Sequence, residues 1–452
     1  MNLSLRPWVE LTYLAAVLLL GGASAAGLGG NALLGIGGAV LIGWTLWREA
    51  PANGTPTGLH RFLLALLALT AFQFLPLPPG IWRHLPGREP IAAGFELASM
   101  SAPWLTVSLD PWGTLQSLVW WIPALALFVV FRSQGAAMSR HVITLVAVFA
   151  YVSVVIALAQ YLGGSGYFYS ITNRGNGVGL FANSNHFGSF MLMALALVAG
   201  QWIQDRPALM RVSPKLASGY LLIARLAPFA FGIFLSNSLA CAILLWPVLG
   251  GVWLIYRPQT KLSWPLVVLG LPMLSIAMVW LLSSGVVSND LMAKSGTVGI
   301  SRGEFLANGL AMAKSFAPLG SGIGTFREIY PWFEELSVVG TTFVNHAHND
   351  LLELVIETGL PGLVVLGFFL RWYGARLSSL WINDRERNPV AIAAAIGIGA
   401  VLIHCLADYP LRTAAISGLF GLCAVIMSRP PESRGSIAGM KADTRRAELL
   451  NI

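Results

Sequence analysis

The chain has 452 residues, of which 56% are hydrophobic and only 11% charged, and its mean hydropathy is +0.70. A typical soluble domain carries about 25% charged residues, so the composition excludes a soluble globular protein. The net charge of +8 does not indicate nucleic-acid binding, because the Lys and Arg residues lie in short clusters between apolar stretches, as in membrane topology signals.

Apolar runs predict an all-α, polytopic integral membrane protein with about twelve transmembrane helices, since one crossing needs about 20 residues. We expect one transmembrane domain over residues 1–430 and a cytoplasmic tail over 431–452. The predicted spans are 9–27, 31–47, 60–77, 115–132, 140–162, 186–204, 217–236, 238–256, 263–283, 350–371, 389–406 and 412–428.

The first predicted span has a second interpretation. Arg6, the apolar run Leu11–Leu20 and the small residues Ala23–Ala25 also fit a cleaved signal peptide. The apolar run continues past Ala25, which favours retention as a helix.

Basic residues predict the orientation of these helices. With both termini in the cytoplasm, 20 Lys and Arg residues lie on the cytoplasmic side and 8 on the other, as the positive-inside rule requires. Three long segments, 78–113, 163–185 and 284–349, then face outward, and the longest of them precedes the tenth helix. Function concentrates in long loops held by a scaffold, so we expect the site on this side.

The densest polar cluster runs from Asn345 to Asp350, where the third outward segment meets the tenth helix, and it includes His346 and His348. Asp350, Glu353 and Glu357 follow at spacings of three and four, which places them on one helical face. Histidine is the natural proton acceptor near neutral pH. Two other interpretations stay open: the cluster caps a helix at the water interface, or both histidines bind one metal ion.

Three further regions carry candidate polar residues. The segment from Arg302 through the Gly-rich run 318–326 reads as a helix ending in a turn; it lacks the G-K-[ST] of a nucleotide-binding loop, whereas the Arg302 guanidinium suits phosphate oxygens. Arg174 is the only basic residue of its outward segment, near Asn185. His404 and Asp408, four residues apart, form a polar pair before Arg412 that we interpret as structural.

Three segments together resemble the O-antigen ligase and O-antigen polymerase superfamily. They are 346–362 with its His-Ala-His-Asn motif, Arg302 with the run 318–326, and 179–187, which reads Gly-Leu-Phe-Ala-Asn-Ser-Asn-His-Phe. The resemblance spans roughly residues 115–425, and the His-Asn segment is its most specific part.

The resemblance implies glycan transfer from an undecaprenyl-diphosphate-linked donor to a glycan or lipid acceptor. The reaction would occur at the periplasmic face of a bacterial inner membrane, without a metal or other cofactor, beside a flippase and a chain-length regulator. His348 matches the essential histidine of the family, with His346 beside it, and Arg302 matches an arginine that holds the diphosphate. We expect the other substrate-binding residues to be Arg174, Asn185, Asn349, Glu353 and Arg412.

The chain departs from the family pattern at Asn237, where a second family arginine would stand. Arg174 or Arg412 would then supply the missing charge. This departure and the segment Asp408–Arg412 favour a polymerase slightly over a lipid-core ligase, and a protein-glycosylating branch stays open.

The alternative from another class is a membrane transporter or flippase, because twelve helices with polar groups also fit that profile. Transporters usually show internal repeats with broken helices at matching positions. The polar residues here cluster at one membrane face and no repeat is visible, which favours the enzyme.

Overall fold

The computed structural model describes residues 6–24, 27–48, 57–132, 134–215, 217–256, 302–335, 344–382 and 388–429. Within them 75% of the residues are helical and strands are almost absent. The helices are α1 Arg6–Leu20, α2 Leu28–Arg48, α3 Thr57–Gln73, α4 Pro79–Trp82, α5 Glu89–Leu97, α6 Pro111–Phe131, α7 Ala136–Gly163, α8 Ser184–Val212, α9 Gly219–Ser236, α10 Leu239–Tyr256, α11 Arg302–Ser315, α12 Phe326–Ile329, α13 Asp350–Ile382, α14 Pro389–His404 and α15 Ala414–Ser428.

Helix lengths and compositions confirm a multi-pass membrane protein. In the described ranges, six helices are long and apolar enough to cross a bilayer, namely α2, α6, α7, α8, α10 and α13, and α3, α9, α14 and α15 are shorter apolar helices. The first span was predicted through residue 27, but α1 ends at Leu20. The predicted span 263–283 and the part of the predicted outward segment that precedes Arg302, residues 284–301, lie outside the described residues. The count of twelve therefore stays a prediction.

Helix α8 forms the centre of the bundle. It is buried along nearly its whole transmembrane part and packs against α7, α9, α10 and α14. Small residues allow this close packing: a side chain at Gly200 would collide with Ala393 of α14. Between helices in lipid, such close approach replaces the hydrophobic driving force that acts in water.

The predicted tight turn near Ser236 is present. Helix α9 ends at Ser236, Asn237 follows with a left-handed φ of 55°, and α10 begins at Leu239. Asparagine tolerates this backbone conformation better than most residues, which gives Asn237 a structural role in the turn.

Residues 76–113, which include the first segment predicted to face outward, fold against the Gly-rich turn. Two short strands, β1 Pro76–Leu77 and β2 Leu105–Thr106, pair in antiparallel fashion. The buried Arg88 guanidinium donates to the carbonyls of Thr106 and Val107, and burial lowers its pKa to about 10. The Leu109 amide then donates to the Ser321 carbonyl over 2.8 Å, which links this segment to the turn.

Helix α13 is broken at Gly359, which has φ 56° and ψ −143°. The Gly-rich turn fills the break: the Leu360 amide donates to the Pro318 carbonyl over 2.8 Å, and the Gly322 amide donates to the Glu357 carbonyl over 2.8 Å. A side chain at Gly359 would collide with the Pro318 carbonyl. The break therefore separates a short polar part of α13, Asp350–Thr358, from its long apolar part.

This contact predicts the effect of Gly359→Ala. The φ and ψ values at this position are accessible essentially only to glycine, and the added methyl group would displace the turn. We expect Gly359→Ala to lower the free energy of unfolding by at least about 2 kcal/mol, measured by thermal unfolding in detergent. The matched control is Gly367→Ala in the same helix, where a methyl group meets no atom within 4 Å and helix propensity favours alanine. Equal stability of the two variants would contradict this account of the break.

Candidate functional site

Arg412 lies among three carboxylates of α13. Its Nε is 3.2 Å from Asp350 Oδ1, and its Nη2 is 3.2 Å from Glu353 Oε1 and 3.5 Å from Glu357 Oε2. The predicted common face of these three acids is thereby confirmed. Burial alone would lower the pKa of Arg412, but the charges of Glu353, Glu357 and Asp350 hold it above its usual range, so the guanidinium stays charged.

Glu353 fixes the backbone before α13. Its side chain is 1% exposed, Oε1 lies 2.9 Å from His346 Nδ1, and Oε2 accepts from the Ala347 amide over 2.9 Å. His346 is 16% exposed and its ring lies 4.5 Å from that of Tyr409. His346 is therefore held inside the carboxylate network.

Glu357 connects the same network to the Gly-rich turn. Its Oε1 accepts from the amides of Gly324 and Phe326 at 2.9 and 3.4 Å. A buried carboxylate needs several donors to offset the loss of water, and this turn supplies two of them. A separate apolar cluster, which includes Met312, Phe316, Phe326, Tyr330 and Ile356, packs α11 and the turn onto α13.

His348 also presents Nδ1 to a buried carboxylate, but it is more exposed than His346. Its side chain is 42% exposed, and Nδ1 lies 3.4 Å from Oδ1 of Asp408, which is 1% exposed. A carboxylate only accepts hydrogen bonds, so this ion-pair contact favours the tautomer with the proton on Nδ1 and Nε2 as the basic nitrogen. The residue also has a left-handed φ of 50°, an uncommon backbone state that concentrates at functional sites.

Asp408 stays ionised beside His348. Burial would raise the pKa of its carboxyl, but the contact with His348 and the other nearby imidazole groups hold this pKa well below its usual range. Because this pKa lies below the unfolded value of about 3.9, Asp408 stabilises the fold above that pH, and this stabilisation is lost only as the pH falls through the folded pKa.

Tyr409 is the common neighbour of three imidazole rings. Its ring centroid lies 4.5 Å from that of His346, 5.1 Å from that of His348 and 5.1 Å from that of His186. Burial and then the charge of Asp408 raise the pKa of its phenol, so it stays neutral and forms a wall of the site.

The other predicted site residues lie at different distances from this cluster. Asn349 caps α13 through the Leu352 amide and donates to the Leu406 carbonyl over 2.9 Å, which ties α13 to the end of α14. Asn185 is in the first turn of α8, and its carbonyl accepts from the Cys241 thiol. Arg302 is the first residue of α11.

Arg174 lies apart, with its guanidinium 5.6 Å from the centre of the Tyr167 ring. Its loop nevertheless reaches the turn after α9, since the side-chain amide of Asn237 donates to Asn176 Oδ1 over 3.5 Å. The loop that carries Arg174 is thus next to the position where the family arginine is missing.

From the sequence, one residue of this cluster was paired with a different neighbour and two were not selected. Asp408 was paired with His404, but α14 ends at His404 and the Asp408 carboxylate faces His348; His404 instead contacts Ser189 Oγ over 2.6 Å. Tyr409 and His186 were not selected, although both lie inside quoted motifs. For the metal interpretation, no group of three or more His, Cys, Asp or Glu in the described ranges has the geometry of a metal site.

The role of Arg412 can be tested through stability. Arg412→Gln would leave three buried carboxylates without their cation, and breaking a buried pair in this way costs about 3–5 kcal/mol. We expect a strongly lowered thermal midpoint, partly restored by adding Glu357→Gln. The control is Arg140→Gln, which removes an exposed pair with Asp205 and should cost less than about 1 kcal/mol. Unchanged stability with weaker donor binding would instead make Arg412 a substrate ligand.

Comparison with known proteins supports the resemblance seen in the sequence. No curated protein matches the chain, but residues 224–367 match the model of a family described as O-antigen ligase. The matched range includes most of α9, all of α10 and α11, the Gly-rich turn, His346, His348 and the polar part of α13. It favours a glycosyltransferase-type enzyme with lipid-linked glycan substrates over a transporter. Residues 224–367 thus match an O-antigen ligase domain, which supports the resemblance of this membrane protein to the O-antigen ligase and polymerase superfamily.

Proposed function

We propose that this protein transfers a glycan from an undecaprenyl-diphosphate-linked donor to a hydroxyl of a glycan or lipid acceptor, with His348 as the general base. One observation carries the proposal: an exposed imidazole is oriented by a buried carboxylate at 3.4 Å. This arrangement leaves Nε2 free to accept a proton, since no hydrogen bond to it exists within the described ranges. A base positioned in this way contributes about 10²–10⁴-fold in rate.

The proposed reaction needs no nucleotide, because the glycosyl diphosphate bond is already activated. The acceptor oxygen loses its proton to His348 Nε2 and attacks the anomeric carbon, and the bond to the diphosphate breaks with its electron pair. Attack from the face opposite the leaving group inverts the anomeric centre. Cationic charge near the departing phosphates lowers the barrier, and we assign that role to Arg302, with Arg174 as the second cation.

The arrangement of charges supports a periplasmic location. Arg376 and Arg429, both predicted to be cytoplasmic, meet at the end of α15, where Arg376 Nη2 donates to the Arg429 carbonyl over 2.7 Å. The candidate site lies at the other end of α13 and α15, near Asp350 and Thr413. With the 20-to-8 distribution of basic residues, the site then faces the periplasm of a bacterial inner membrane. The turn at Asn237 favours a polymerase over a lipid-core ligase.

The base assignment predicts that His348→Ala and His348→Asn lower glycan transfer at least about 100-fold while the protein stays folded. Asparagine tolerates the left-handed backbone, so the second variant separates the loss of the base from backbone strain. His346→Ala should lower glycan transfer less. The control is His141→Ala, at an exposed position near the start of α7. Transfer from a purified lipid-linked donor is measured per mole of folded protein, with a chelator present.

Three outcomes of that assay would contradict the assignment. Retained transfer in both His348 variants would show that His348 is not the general base. Equal losses of protein abundance in the His346 and His348 variants, with intact activity per molecule, would favour the helix-capping interpretation. Loss of wild-type activity on chelation would favour a metal site.

The donor assignment predicts that Arg302→Lys weakens transfer strongly, about 10-fold or more, although the charge is retained, because lysine lacks the planar fork that binds two phosphate oxygens. The control is Lys314→Ala, at an exposed position in the last turn of the same helix. The measurement is the KM for the lipid-linked donor together with kcat. Wild-type output from Arg302→Ala would rule out the role, and Arg174→Ala tests the second cation in the same way.

A further inference from the structure

Helix α5 is apolar on nearly every side, yet the protein buries none of its nine residues. Only Glu89 and Glu96 are polar. The outer face of the helix recurs at spacings of three and four and consists of the exposed residues Pro90, Ala93, Gly94 and Leu97. A helix that is hydrophobic all round belongs in a protein core or in lipid, and α5 is not in a core.

The exposed apolar surface continues from α5 to the start of α6. Leu97 is 90% exposed, and Met100, Trp104 and Trp112 are each between 60% and 65% exposed. Trp112 is the second residue of α6, which is long and apolar enough to cross a bilayer. Tryptophan concentrates at the boundary between membrane and water, because its ring is apolar and its N–H is polar. The surface therefore meets the membrane-spanning part of the protein.

The packing beneath α5 gives this surface a fixed shape. Trp82 is fully buried; its ring lies 6.2 Å from that of Phe95, and its Nε1 donates to the Pro103 carbonyl over 2.9 Å. The buried Arg88, directly before α5, donates to two carbonyls beside β2. Contacts on the inner side thus hold residues 89–104 in one conformation, with their exposed apolar side chains on the outer side.

We propose that the interfacial segment, residues 89–104, inserts its exposed apolar side chains into the membrane leaflet beside α6. Lipid is the occupant of this surface because the surface adjoins the membrane-spanning helix at Trp112. Its flanking charges, Arg83 and Glu96, pair with each other at 3.7 Å, so they leave little net charge for a polar partner. An interfacial helix of this kind buries its apolar face about 5–10 Å into the boundary between headgroups and acyl chains.

Insertion of the interfacial segment would hold the candidate site at the level of the lipid headgroups. Gly87, just before the segment, packs against Phe316, directly after α11, so closely that an added side chain would collide with the ring. Beyond the segment, the Leu109 amide donates to the Ser321 carbonyl of the Gly-rich turn. A lipid-linked donor carries its diphosphate at headgroup level. This role in catalysis rests on the proposed function, whereas the lipid contact itself does not.

Spin labels measure the insertion directly. Leu97→Cys, Met100→Cys and Trp104→Cys accept a nitroxide selectively, because the three native cysteines are buried. In vesicles of phosphatidylethanolamine and phosphatidylglycerol, collisions with O2, which concentrates in lipid, should exceed those with a water-soluble nickel complex and give a depth of about 5–10 Å. The lipid control is Val155→Cys, at an exposed position within α7, and the water control is Lys215→Cys, in the turn between α8 and α9.

Two labelling patterns would overturn the inference. In the first, nickel reaches all three labels as readily as it reaches Lys215→Cys, which would place the segment in water. In the second, neither O2 nor nickel reaches the labels, which would show that a protein partner or a second copy covers the surface. All three substitutions are at exposed positions, so the thermal midpoint should stay near that of the wild type.

The double variant Leu97→Glu with Met100→Glu tests the link to catalysis. Carboxylates resist transfer into lipid, so the variant should lose the depth measured at the Trp104→Cys label. The KM for the lipid-linked donor should rise, while kcat at saturating donor stays near the wild type. The matched control is Val212→Glu with Tyr220→Glu, which changes two exposed apolar residues at the α8–α9 turn and should leave the donor KM unchanged.

An unchanged donor KM after loss of depth would overturn the link between insertion and catalysis. Failure of the proposed function would look different. The labels would still report insertion into lipid, but the wild type would not transfer glycan, or His348→Ala would transfer normally.

Discussion

The guanidinium of Arg412 is the interaction on which the candidate site depends. Three carboxylates on successive turns of one helix repel one another, and burying them without a cation would be prohibitive. Arg412 contacts all three within 3.5 Å, and backbone amides of Ala347, Gly324 and Phe326 supply further donors to Glu353 and Glu357. The arginine therefore fixes not only α13 but also the two backbone segments that donate to its acids.

Each of those segments carries or supports a functional group. The segment before α13 holds His346 against Glu353 and places His348 beyond it, where its ring meets Asp408. The Gly-rich turn donates to Glu357 through its backbone amides. Its Ser321 carbonyl accepts from the Leu109 amide, which joins residues 76–113 to the site. A single ion network thus connects parts of the chain that are far apart in sequence.

The sequence predicted the local part of this arrangement and missed the long-range part. Spacings of three and four placed Asp350, Glu353 and Glu357 on one face, because helix periodicity is a local property. That Arg412 meets this face depends on how α14 and α15 pack against α13, which no local pattern reveals. For the same reason Asp408 was assigned to His404, its neighbour at helical spacing, although the end of α14 at His404 turns its carboxylate toward His348.

The left-handed backbone at His348 has a consequence for how such a protein can change. A histidine with φ of 50° carries conformational strain that glycine or asparagine would relieve. Selection for thermostability alone would therefore favour replacing this histidine, and only selection for turnover would keep it. Consensus design or directed evolution that selects only for folding would therefore yield a more stable protein that no longer transfers glycan.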